Sequence, residues 1–343
     1  MALFNFFTQE LAVDLGTANT LIIENGEVVV DQPSIVAVDR RSGETIAVGH
    51  KAMQMHEKTH ENIKTVRPLK DGVIADFTAA ESMIEGMINM IGHKRRFLNH
   101  LKMVVCIPSG ITEVEKRAVF DSADNVDSKE TYLIHEPMAA ALGIGLDVEA
   151  PEGNIIIDIG GGTTEIAVIA LSGIVCDESI RVAGDEFTED IIEFVKRDHN
   201  ILIGERTAEQ IKINVGAAST NLEDPPADYA VNGRDLMTGI PKQVVINYRE
   251  VAECLDKSIS KVEEAIVRAL ERTPPELASD IFRTGIYLTG GGALLRGLSK
   301  RIANKTKLDV HVADDPLRAV VRGTSLAIQN VGSYSFMIDR KSI

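Results

Sequence analysis

Apolar positions along the chain change their period from one segment to the next. Short runs rich in Val and Ile, at Leu11 to Leu15, Thr20 to Ile23, Glu27 to Val30 and Ser34 to Val38, are broken by Gly or Pro and predict strands. A polar, His-rich stretch over 50–72 has no clear period. Thr78 and Glu81 have the spacing of a capping box, and Ile84, Met87, Ile88 and Ile91 follow at helical intervals. Met103 to Ile107, ended by Pro108, reads as a buried strand, and Thr112 with Glu115 opens another capped helix. The second half repeats this alternation. Asn154 to Ile159, Thr164 to Ala170 and Gly173 to Cys176 read as strands. Helical spacing follows at Phe187, Ile191, Phe194 and Val195, and again after Thr207. The segment 219–242 is rich in turn formers. A long helix is expected over 249–272, with Val251, Leu255, Ile259, Val262, Ile266 and Leu270 on one face, stopped by Pro274 and Pro275. Gly285 to Thr289 is one more strand, running into three glycines and a helix from Ala293. The whole predicts an α/β protein.

The pattern contains an echo. Residues 12–23 read AVDLGTANTLII and residues 156–169 read IIDIGGGTTEIAVI. Each is an apolar strand ending in Asp, a Gly-containing turn with Thr, and a second apolar strand. Two such hairpins predict two halves of related topology facing each other. Glycine lets backbone N–H groups approach an anion, and successive N–H groups form anion-binding nests. Facing hairpins can therefore hold a polyphosphate from both sides. Asp14 and Asp158, at the strand ends, suit Mg²⁺, which keeps its waters and takes one or two carboxylates, directly or through water. The plainer alternative is that each Asp caps its own turn. The third glycine turn, Gly290-Gly291-Gly292-Ala293, has Leu295 where a dinucleotide fingerprint needs its last Gly, so a Rossmann site is discounted. A close approach to adenine or ribose is the better reading. There is no P-loop, no G-x-S-x-G and no H-E-x-x-H.

Composition narrows the classes. The 343 residues are 44% hydrophobic and 25% charged, ordinary for a globular chain, and the length suits two domains or one large one. The formal net charge of −15 argues against nucleic-acid binding by bulk charge. It also means that any contact with an anionic membrane must be local and apolar. Cys106, Cys176 and Cys254 form no CxxC pair and no metal cluster, which fits a reducing cytosol. No apolar run is long enough to span a bilayer. No Lys or Arg precedes Arg40, so a signal peptide is not expected. Two short apolar segments stand out as membrane or partner contacts: Leu3, Phe4, Phe6 and Phe7, and Phe97-Leu98 after Lys94-Arg95-Arg96. For each, packing on the core is the alternative.

AVDLGTANTLI, LIHEPMAAALG, IDIGGGTTEIAVI, RTAEQIKINVG, PPELASDI and LTGGGALLRGL, together with DGVIADF at 71–77, resemble the MreB family of bacterial actin-like proteins over residues 9–332. The resemblance implies an actin-like ATPase fold of two ribonuclease-H-like domains related by duplication, with ATP or ADP and Mg²⁺ in the cleft between them. It implies domain I at 1–143 plus 315–343, with a smaller subdomain over 34–74. Domain II is implied at 144–314, with a smaller subdomain over 182–245. Position by position, Gly16, Thr17, Ala18 and Asn19 would form the first phosphate loop and Gly160, Gly161, Gly162, Thr163 and Thr164 the second. Glu209, Gln210, Ile211 and Lys212 would lie on the ribose and adenine side, and Gly290 to Ala293 would complete the adenosine pocket. Glu136 matches the water-activating position, with Thr163 placing the water and Asp158 the cation. Without the resemblance, Glu209 and Lys212 read as an ordinary exposed pair, and Glu136 as a carboxylate favouring a helix N-terminus before Pro137.

The resemblance further implies a slow ATPase that forms filaments of itself. These would lie on the inner face of the cytoplasmic membrane, work with membrane proteins of the elongation machinery and maintain rod-like shape. The alternatives are a metabolic kinase of the same superfold, acting on a small hydroxylated substrate, and a scaffold that binds ATP without hydrolysis. Three departures from the family pattern are His135 where a second acid is common, Ala183 in Ala183-Gly184-Asp185, and the acidic SADNVDSKE at 122–130.

Overall fold

The computed structural model describes residues 8–58, 60–91, 100–126, 128–335 and 337–340. The expected membrane segments at Leu3, Phe4, Phe6, Phe7, Phe97 and Leu98 lie outside them.

Two large sheets carry the chain. The first has the order Ile338–Arg340, Ser128–His135, His100–Ile107, Thr8–Leu15, Asn19–Glu24 and Glu27–Pro33. Thr8–Leu15, Asn19–Glu24 and Glu27–Pro33 form an antiparallel meander, and His100–Ile107 and Ser128–His135 add parallel to its first strand. The second sheet repeats this plan. Asn154–Ile159, Thr164–Ala170 and Gly173–Ile180 form the meander, and Ile286–Thr289 and Val310–Val312 add in parallel. The echoed hairpins are thus the first two strands of each sheet, and the duplication expected from the sequence is a duplication of topology. Two three-stranded sheets stand beside the large ones: Val36–Asp39 with Thr45–Val48 and Ile63–Val66, and Ile201–Leu202 with Tyr229–Asp235 and Pro241–Ile246.

Helices Glu136–Gly143 and Ala319–Gln329 lie between the two large sheets. Their side chains Met138, Leu142 and Val321 join Ala12, Val104 and Ile134 of the first sheet to Ile156, Ala167 and Ile169 of the second in one apolar cluster. The helices touch through glycine. A Cβ on Gly323 would run into the Ala139 carbonyl, and one on Gly143 into that of Ala319. Gly323→Ala is therefore expected to destabilise the fold by ~3 kcal/mol, the upper end of overpacking costs, because backbone rather than a movable side chain blocks the methyl. A melting midpoint equal to the parent's would show that the helices can part without cost.

The long helix runs over Tyr248–Arg272, closed at its start by an Asn247–Glu250 capping box, and its expected apolar face is buried from Val251 to Ile266, with Leu270 partly buried. The Thr112–Glu115 box is also present. The earlier capping expectation is corrected. Asp76, not Thr78, accepts the Ala79 N–H and starts the helix at Phe77, because a carboxylate two residues earlier reaches the free N–H first. The stretch over 50–72 holds a short helix, His50–Met55, and the strand Ile63–Val66, both too short to show a period. The expected helix from Ala293 is a 3₁₀ turn over Gly291–Leu294. The α-helix begins only at Leu298, after Gly297 takes a left-handed conformation.

Candidate functional site

The site forms where the ends of the two hairpins meet. A Cβ on Gly161 would come within 2.7 Å of the Ala18 Cβ, and one on Gly162 within 2.6 Å of Thr17 Oγ1 and 3.0 Å of the Asp71 Cα. Only glycine lets the two turns approach this closely. The Gly72 N–H donates to Thr17 Oγ1 at 3.0 Å, so the Asp71-Gly72 turn closes a third side. The first turn is braced from behind: Ser34 Oγ donates to the Gly16 carbonyl at 2.6 Å, and the Ser34 N–H to the Ala18 carbonyl at 2.9 Å. The second is held by Gly160 N–H to the Thr163 carbonyl, 2.9 Å, and by the Gly184 and Asp185 N–H groups on the Gly160 and Gly161 carbonyls.

Four carboxylates gather at these turns. Asp158 and Glu165 are buried, Asp14 and Glu136 partly so, and none has a Lys or Arg partner among the described residues. Burial, with Asp158 nearby, pushes the Asp14 carboxyl up to about 7. Burial pushes Asp158 up to about 6, opposed by the Thr289 hydroxyl that donates to it at 2.7 Å. Glu136 is held well above the ordinary carboxylate range by burial, then by Glu165, Asp14 and Asp158. Glu165 is raised by burial and eased down by Ser179 and Ser109. A cluster of uncompensated carboxylates is a standing cost that a divalent cation would remove. Among the described residues no three His, Cys, Asp or Glu side chains are arranged to enclose a metal. A cation here would be held by Asp14 and Asp158, by its own waters and by ligand oxygens.

The other expected residues divide. Lys212 and Glu209 form a 2.6 Å ion pair, and Lys212 also donates to the Gly184 carbonyl and to Thr188 Oγ1, while Thr188 donates to Glu209. They are thus tied to the helix Gly184–Asp198 behind the second turn, which an ordinary surface pair would not be. Gln210 is exposed on helix Glu205–Val215, which also carries Glu209 and Lys212, and Ile211 of that helix is fully buried in the core of the second half. Ile211 therefore supports the helix rather than lining the cleft. Gly290 donates to the Pro316 carbonyl and lies against Ile159, so the third glycine turn sits beside the second hairpin. Above the turns, Arg67 and His56 of one small sheet's region meet Glu205 at 2.9 and 3.3 Å, and the Glu205 N–H donates to Glu57.

The sequence reading missed Glu165, Ser34, Asp71 and this Glu205 contact. Glu165 had a signal, a lone charge inside the strand TEIAVIA. The others are joined only by the fold.

Paired sheets of repeated topology, joined by two crossing helices and holding glycine turns and acidic side chains in the cleft, define the actin-like ATPase class. The comparisons narrow this. The MreB/Mbl protein family model matches residues 8–335. Cell shape-determining protein Mbl of Bacillus subtilis is 43% identical over 95% of this chain and 97% of its own. Cell shape-determining protein MreB of Escherichia coli is 45% identical over 96% and 95%. The crystal structure of MreB5 of Spiroplasma citri bound to ADP superposes with a TM-score of 0.90 at 36% identity, over 96% of this chain and 98% of that one. The chain belongs to the MreB/Mbl family.

Proposed function

We propose that the chain binds ATP with Mg²⁺ in the cleft and hydrolyses it slowly to ADP and phosphate. We further propose that it assembles into filaments of itself that serve cell shape from the inner face of the cytoplasmic membrane. The observation that carries this reading is the contact of the two Asp-Gly hairpins across the cleft, with the uncompensated carboxylates beside them. Family membership, the cell-shape role named for the relatives and the ADP in the MreB5 structure support it. A metabolic kinase would need a base poised on a second substrate's hydroxyl, and the family assignment leaves that alternative without support.

Residue by residue, the turns at 16–19 and 160–164 take the phosphate oxygens through the N–H groups they leave free, and Thr17 and Thr163 add hydroxyls; the Gly160 N–H is held by the Thr163 carbonyl and the Thr164 hydroxyl by that of Val182. Glu209 and Lys212 flank the ribose, and Gly290 to Ala293 back the adenosine. Mg²⁺, when bound, neutralises the phosphate charge that grows in the transition state. Glu136 and Thr163 place the attacking water, and a Glu136 kept basic enough to take a proton suits that role. The division at 1–143 plus 315–343 and 144–314 follows from the same reading. It is supported by the two repeated sheets and by the small sheets, one inside 34–74 and the other inside 182–245 but for its last residue, Ile246.

Pelleting with and without ATP, alongside phosphate release, is the deciding experiment. ATP-dependent pelleting with phosphate release is expected. Phosphate release only on adding a sugar or acid would favour the kinase, and pelleting without release would favour a scaffold.

No helix among the described residues is long and apolar enough to cross a membrane. The membrane part of the proposal rests on residues 3–7 and 97–98, together with family membership. Cations beside an anionic leaflet contribute ~1 kcal/mol each, and a filament repeats each weak site many times. Flotation of the polymer with anionic liposomes is expected, and is expected to be lost in a variant that lacks residues 2–7 and carries Phe97→Ser and Leu98→Ser. Undiminished flotation by that folded, polymerising variant would overturn the assignment of both segments. The same membrane contact would place the polymer beside the membrane proteins of cell elongation.

A further inference from the structure

Glu165 is fully buried, yet it stands in a strand whose remaining residues are apolar or uncharged. Its place in the sheet is specific. The register pairs Ser179 with Glu165, Glu165 with Asp158, and Asp158 with Thr289. Residues directly opposite on neighbouring strands share a face, so these four form one polar row across four strands. Ser179 Oγ donates to Glu165 Oε1 at 2.6 Å, and Thr289 Oγ1 donates to Asp158 Oδ1 at 2.7 Å.

The second oxygen of Glu165 looks the other way. Oε2 accepts the backbone N–H of Ser109 at 3.0 Å. Ser109 belongs to the turn that follows strand His100–Ile107 of the first sheet, so this carboxylate bridges the two sheets. The turn is seated closely, since a Cβ on Gly110 would lie 3.3 Å from the Ser179 Cβ. The Pro108 carbonyl, one residue before Ser109, accepts from His135 Nδ1 at 3.4 Å. His135 immediately precedes Glu136 and occupies the N-cap position of its helix, without a side-chain capping bond. A chain of contacts thus runs from Glu165 through Ser109, Pro108 and His135 to Glu136.

We propose that Glu165 is the positioning residue for Glu136: it clamps the 108–110 turn of the first sheet onto the second, and that turn fixes His135 and the start of the Glu136–Gly143 helix against the second phosphate turn. The inference rests on the ATPase reading. It assigns Glu165 no bond to nucleotide and no proton transfer. A carboxylate is needed because both oxygens accept. A glutamine at the same place accepts with one and presents an N–H to the other donor.

Single-turnover phosphate formation and binding of a fluorescent ATP analogue would be measured for the parent, Glu165→Gln, Ser179→Ala, Glu136→Ala and the double variant Glu165→Gln/Glu136→Ala. Glu165→Gln is expected to keep its affinity within about threefold and to lose at least tenfold in rate, the mark of a contact that acts on the transition state. Ser179→Ala, which removes one of the two bonds, is expected to lose a few-fold in rate with affinity kept, and it carries the test if Glu165→Gln does not fold. The double variant is expected to be no slower than Glu136→Ala, since residues acting as one unit are not additive. A parent that binds ATP without forming phosphate would bring down the ATPase reading, and this inference with it. A parent that forms phosphate, with Glu165→Gln matching its rate, would overturn the inference alone. So would equal losses of affinity and rate, or a double variant slower by the full product of the single effects.

Discussion

With Asp158 replaced by Asn, Mg-ATP is expected to lose most of its power to stabilise the protein. A ligand that binds only the native state contributes about 2.7 kcal/mol at a hundredfold excess over its Kd. A hundredfold weaker Kd at the same concentration would leave about 0.4 kcal/mol by the same relation. The variant keeps the shape of the side chain and an oxygen for the Thr289 hydroxyl, and removes only the charge that a cation would meet. The nucleotide-free proteins should differ in the opposite sense, and pH fixes the direction. Asp14 and Asp158 are pushed up to about 7 and about 6, above their unfolded values. A raised carboxyl contributes stability that is present below the unfolded pKa and is lost as pH rises through the folded one. Without ligand, the parent should therefore lose stability relative to Asp158→Asn between pH 5 and pH 8, and Mg-ATP should reverse that ranking at pH 8. Thermal melts at both pH values measure this. Equal gains from Mg-ATP in the two proteins would remove Asp158 from the cation site.

Glu136→Ala carries the other large effect. Loss of a positioned general base costs ~10²–10⁴-fold in rate, and ATP affinity should be unchanged, because in the proposed role the side chain would meet water and not nucleotide. Filaments of the variant should outlast those of the parent after free ATP is removed, since the bound ATP is not turned over. Measured phosphate release and ATP affinity falling together would return Glu136 to the role of a carboxylate favouring its own helix terminus.

Much of the site was legible because its parts are local. Asp14-Leu15-Gly16 and Asp158-Ile159-Gly160 each carry strand, carboxylate and turn within a few residues. Their repetition announced two facing halves, and the resemblance supplied the order of the site around them. Glu209 and Lys212 were harder to read. One turn apart on a helix, they look like any surface pair, and only the hydrogen bonds to Gly184 and Thr188 distinguish them. Ile211 was carried along by proximity in sequence, but the helical period turns it into the core. Ser128–His135 was not marked as a strand, although it neighbours His100–Ile107 in the first sheet. Its first half, SKET, is polar, and the apolar YLI is too short to show a period.

The sequence by itself determined the elements whose signals lie within one strand or one helical turn: the twin hairpins, the Thr112 cap, the long amphipathic helix and the acids at the strand ends. It determined these because hydrophobic period, turn chemistry and capping are near-neighbour effects. The tertiary structure decided which of these pieces meet. It set the glycine turns of the two halves in contact, packed Gly143 against Ala319 and Gly323 against Ala139, and brought Arg67 to Glu205 and Ser109 to Glu165. Those partners stand many residues apart, and no local preference encodes their distance. Burying the shared apolar cluster of the two central helices fixes it, by forcing the sheets into the one relation in which their carboxylates share a cleft.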